Sequence, residues 1–80
     1  MHLSIYSLQE TIFEGEAISV SLPTPLGEMT VLDHHIPMVS AVSPGEIRCT
    51  LHDSTIKALP FSGGILEVRP ESNVVVLANP

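Results

Sequence analysis

Eighty residues carry three Lys plus Arg against nine Asp plus Glu, a net charge of −6 with histidine neutral, and 44% of positions are hydrophobic. A chain this short makes one domain, residues 1–80, rather than a multidomain enzyme. Acidity without a basic stripe opposes phosphate backbones and anionic lipid, so neither nucleic-acid binding nor direct lipid insertion is expected. Only 15% of residues are charged, which leaves an outer surface poor in charge and suited to being covered by a partner. One cysteine permits no internal disulfide, no apolar run approaches the ~20 residues of a membrane helix, and the start lacks the pattern of a secretory signal. A cytosolic address is expected.

Seven prolines and five glycines divide the chain into short runs rich in Val, Ile, Leu and Thr, the pattern of many short strands. Leu3 to Leu8 reads as the first strand. Thr11 to Leu22 reads as the second, with Ile18, Val20 and Leu22 on one face and Ser19 and Ser21 on the other. Pro23 to Gly27 is expected to turn, since proline lacks an N–H and Gly27 tolerates positive φ. Met29 to Leu32 is a short strand ended by Asp33 to Pro37, and Met38 to Val42 leads into a turn at Ser43-Pro44-Gly45. Glu46 to His52 gives the clearest alternation, with Ile47, Cys49 and Leu51 on one face. After a turn at Asp53-Ser54, Pro60 places the strand Thr55 to Phe61 at an edge or bulge. Ile65 to Arg69 and Val74 to Ala78 form a final hairpin around Pro70 to Asn73. The class is all-β: a flattened antiparallel β-sandwich or barrel of about eight to ten short strands.

Candidate chemistry is sparse. Cys49 falls on the Ile47/Leu51 face and reads as a packed core thiol. Asp33, His34, His35 and His52 are the only residues with the chemistry of a zinc site, although neighbours in extended chain point to opposite sides. They support one alternative, a small cupin-like metal-binding β-barrel. Gly63-Gly64 lacks the spacing of a phosphate-binding loop and reads as a bulge or tight turn. Glu14 and Glu16 share a solvated strand face.

Phe13-Glu14-Gly15-Glu16, Val20 to Pro25, Gly27-Glu28, Thr30-Val31-Leu32, His35-Ile36-Pro37, Pro44-Gly45, Ser62-Gly63-Gly64-Ile65-Leu66-Glu67-Val68 and Val74 to Ala78, in this order, resemble the epsilon subunit of F-type ATP synthase. The resemblance runs nearly end to end. It implies a β-sandwich on the central stalk, a non-catalytic rotor element that binds the gamma subunit and touches the membrane c-ring during proton- or sodium-driven ATP synthesis. It further implies a ring interface of Gly27, Glu28 and His35, and a gamma interface of Ser7, His35, Met38, Val39 and Ser40. Gly63 and Gly64 would form a structural turn. No cofactor is implied, and the location would be peripheral, on the cytoplasmic face of the bacterial inner membrane. The family commonly continues into a helical hairpin; these residues stop at Asn79-Pro80, so the hairpin is expected to be absent and nucleotide binding is not expected. Asp33-His34 stands where the family commonly has Pro-Gly, and Pro60 where a strand residue with an N–H is usual.

Overall fold

Apolar residues at every second position give a strand one buried face, and the computed structural model, which describes residues 1–79, contains nine such strands. They are β1 (His2–Tyr6), β2 (Thr11–Glu16), β3 (Ser19–Thr24), β4 (Gly27–Leu32), β5 (Met38–Val42), β6 (Gly45–Thr50), β7 (Ile56–Phe61), β8 (Gly64–Arg69) and β9 (Asn73–Ala78). A five-stranded sheet of order β2-β1-β9-β8-β5 faces a four-stranded sheet of order β4-β3-β6-β7. Leu3, Ile5, Leu66, Val74 and Val76 from the first sheet meet Val20, Leu22, Val31, Ile47 and Cys49 from the second, all essentially without solvent contact. The all-β sandwich expected from the alternation is the observed architecture. Among the described residues no helix is long and apolar enough to cross a membrane.

Three local expectations change. The run Thr11 to Leu22 is two strands in different sheets rather than one. Ala17 donates its N–H to the Met1 carbonyl at 3.0 Å, still within the five-stranded sheet, whereas Ile18 donates to the Thr50 carbonyl of the other sheet at 2.7 Å. The handover places Ile18 outside the core, 39% exposed, although Val20 and Leu22 are buried. Pro23 belongs to β3, paired with Glu28, and the turn shrinks to Pro25-Leu26. Leu8 is 69% exposed, and β1 ends at Tyr6.

The pairings are antiparallel with one exception: β1 and β9 run parallel, with Leu3 opposite Val74 and Ile5 opposite Val76. Pro60 lies on β7, the edge strand of its sheet, where a missing N–H costs no ladder bond. Cys49 is fully buried among the core side chains, and desolvation pushes its thiol above the ordinary value, which disfavours the thiolate.

Candidate functional site

The expected interface residues divide between the two ends of the sandwich. Gly27 lies opposite Thr24 at the tip of the β3–β4 hairpin. That tip shares its end with Ser43, whose N–H reaches the Pro23 carbonyl at 2.9 Å, and with Gly63, which packs against Pro44. His35 follows the far end of β4, where Leu32 pairs with Ser19. A strand of this length spans roughly 17–20 Å, so the structure does not bring His35 together with Gly27 and Glu28. The residues expected at the ring interface thus lie at both ends of β4, Gly27 and Glu28 at one and His35 beyond the other.

At the hairpin end, Gly27 takes φ 121° and a side chain there would meet open space. The Thr24 hydroxyl closes the turn, donating to the Gly27 carbonyl at 2.6 Å and accepting the Leu26 N–H at 3.2 Å. Leu26 stands fully exposed at the tip. Glu28 is not a free charge: its carboxylate pairs with the Arg48 guanidinium, which also lies 3.8 Å from Glu46.

At the opposite end, the Met1 α-ammonium is buried and donates to the Ala17 carbonyl at 2.9 Å, and Asp33 Oδ1 lies 2.5 Å from it. That hydrogen bond holds the Asp33 carboxyl below the usual carboxylate range, and the charges of His34 and His52 add to the effect. His34 adopts φ 62°, the left-handed region in which glycine is unstrained. Its N–H donates to the Ser72 hydroxyl at 3.0 Å. The His35 ring Nδ1 is 2.8 Å from the Ile36 carbonyl. Nothing in this arrangement supports the metal-binding alternative. Among the described residues no three His, Cys, Asp or Glu groups are placed to hold an ion; Asp33 pairs with the Met1 ammonium, and the His35 ring lies against its own chain.

Ser7 and β5 are separated by strands β9 and β8 across the five-stranded sheet. The Ser7 hydroxyl is committed to its own turn, accepting the N–H groups of Gln9 and Glu10 at 3.3 and 3.1 Å. Met38 packs on the core, Val39 is 68% exposed, and the Ser40 hydroxyl donates to the Ala41 carbonyl at 3.0 Å. Gly63 occupies the expected turn with φ 101°. Gly64 is instead the first residue of β8, where a side chain would run into the Leu77 carbonyl.

A cleft of about 460 Å³ opens beside Ser7, Ile12, Pro60, Phe61, Ser62 and Asn79. Its polar lining is Ser7, Gln9, Ser62 and Asn79, with no carboxylate, imidazole, amine or thiol beside the two hydroxyls to act as a general base. What the described surface offers is contact chemistry: a closed polar turn with an apolar tip, ion-paired strand faces and an exposed edge strand.

Residues 1–80 match the family model described as ATP synthase, Delta/Epsilon chain, beta-sandwich domain. The chain belongs to this family. An ATP synthase epsilon chain of Bordetella parapertussis is 40% identical over 79 residues, covering 99% of this chain and 56% of its own length. One from Delftia acidovorans is 36% identical over 76 residues, covering 95% of this chain and 55% of its own. The chain thus spans about half the length of the curated relatives it matches. A chain of the Euglena gracilis mitochondrial ATP synthase superposes with TM-score 0.91 at 24% identity, over 98% of this chain and 49% of that one. A chain of the Tetrahymena thermophila central stalk and c-ring assembly gives 0.83 at 9% identity, over 99% of this chain and 63% of that one. These two likenesses establish the sandwich fold.

Proposed function

We propose that this domain is a non-catalytic central-stalk element of an F-type ATP synthase, coupling the gamma subunit to the c-ring during ATP synthesis driven by proton or sodium transport. The observation that carries the reading is the family match over residues 1–80, on a two-sheet sandwich. The domain would lie peripherally, on the cytoplasmic face of a bacterial inner membrane, and hold no cofactor or nucleotide. The hairpin end bearing Leu26, Gly27 and Glu28 would meet the ring. Met38, Val39 and Ser40 on β5 would meet gamma, with His35 beside them rather than at the ring. A two-layer sandwich closed by apolar side chains transmits force with little internal give.

Co-expression with the gamma subunit of the same source, followed by native mass spectrometry, tests the reading. A one-to-one complex is the expected result. Recovery of only the free chain, with both proteins folded, would overturn it.

A further inference from the structure

The sandwich has four edge strands, and three of them are guarded against pairing with another chain. Edges are normally protected by charges, proline or bulges. On β2, Glu14 and Glu16 supply charge and the register shifts at Ile5/Tyr6 on its partner β1. On β4, Glu28 is charged and paired with Arg48. On β7 stand Lys57 and Pro60.

The fourth edge, β5, reads Met38-Val39-Ser40-Ala41-Val42, with no charge and no proline, in unbroken register with β8 from Met38 opposite Val68 to Val42 opposite Gly64. Just beyond it, Ser43 turns its N–H away from β8 to the Pro23 carbonyl at 2.9 Å. Backbone groups alternate sides along a strand, so Ala41 and Val39 present theirs to the same open side. The Ala41 carbonyl there is taken by the Ser40 hydroxyl at 3.0 Å. The Ala41 N–H and both backbone groups of Val39 remain open for a ladder. Val39 and Ala41 are exposed.

We infer that the open edge of β5 receives an extended strand of the stalk partner, which adds to the five-stranded sheet as a sixth strand. This rests on the stalk reading above and specifies how the partner is held. Main-chain bonds provide the contact and the side chains flanking Ala41 provide the fit. The occupant is a neutral or basic strand: a chain of net charge −6 repels a second copy of itself and any other acidic segment.

The test uses the full chain and the gamma subunit of the same source. Binding is measured by calorimetry for the wild type, Ala41→Pro, Val39→Lys and, on another strand of the same outer face, Leu77→Ser. Thermal melting confirms that each variant is folded. Proline at Ala41 removes an outward N–H and leaves the pairing with β8 intact. The expected result is at least tenfold weaker binding for Ala41→Pro and Val39→Lys, and less than threefold for Leu77→Ser. Hydrogen exchange of the wild type is expected to show the Val39 and Ala41 amides exchanging freely alone and slowed at least tenfold in the complex.

Wild-type binding with both β5 variants within threefold, or with those amides unprotected, overturns the edge inference and leaves the stalk reading standing. No wild-type binding overturns the stalk reading and, with it, this inference. A concentration-dependent homodimer abolished by Ala41→Pro would make a second copy the occupant and overturn the choice of partner.

Discussion

Gly63 and Gly64 are adjacent yet required for different reasons. Gly63 holds φ 101°, and a side chain there would sit 3.3 Å from the Val42 carbonyl oxygen. Gly63→Val is expected to cost about 1–3 kcal/mol through backbone strain. At Gly64 the obstacle is the Leu77 carbonyl on the paired strand, so Gly64→Val must move β9 and is expected to cost more. Urea midpoints of the two variants check the order, and an unchanged midpoint for both would refute it. Asp33 gives a pH dependence. Its carboxyl lies below the ordinary 3.8, chiefly through the hydrogen bond from the Met1 ammonium. A lowered value contributes stability that is complete above the unfolded value and lost as pH falls through the folded one. Asp33→Asn is therefore expected to lower the melting temperature at pH 7 and to narrow the gap between pH 7 and pH 2. Asp53, lowered by hydrogen bonds from Thr55, contributes with the same sign.

Among the elements, β8 lies between β9 and β5 and buries Leu66 completely. Leu66→Ala is expected to cost about 2–5 kcal/mol, a large share of the roughly 4–12 kcal/mol that holds a domain of this size folded. Denaturant titration measures the loss, and a loss under about 1 kcal/mol would contradict the packing. The Glu28–Arg48 pair ties β4 to β6 across β3, but both side chains are about half exposed. Glu28→Gln is accordingly expected to change stability by less than about 1 kcal/mol, with the difference fading at high salt in the same titration. Most of these elements are legible in the sequence because alternation reports a half-buried strand directly, as at Ile47, Cys49 and Leu51. The division between β2 and β3 is not. Glu16, Ala17 and Ile18 include neither glycine nor proline, and the chain changes sheets by exchanging backbone partners, which leaves no residue signature.

For the whole molecule, the candidate surfaces were less legible than the fold. Gly27 and His35 are near each other along the chain, yet β4 runs between them and carries them to opposite ends. Ser7 and Val39 lie on one sheet with two strands between them. Motif order locates such residues in the chain, but strand direction decides which of them share a surface. Leu26 and the unguarded edge of β5 emerge only when exposure and pairing are known.

The parallel pairing of β1 with β9 also has a consequence for how the protein is made. β9, the last of the nine strands in chain order, lies between β1 and β8, so the larger sheet has no centre until residues 73–78 have been translated and released. The hairpins β3–β4 and β6–β7 can form early because their partners are close in sequence. The first strand must wait, its inward face of Leu3 and Ile5 uncovered, for β9 to arrive. Biosynthesis of this domain thus ends in a ring closure between its earliest and latest segments. A nascent chain paused before Asn73 leaves an apolar β1 edge open to chaperones or to neighbouring chains.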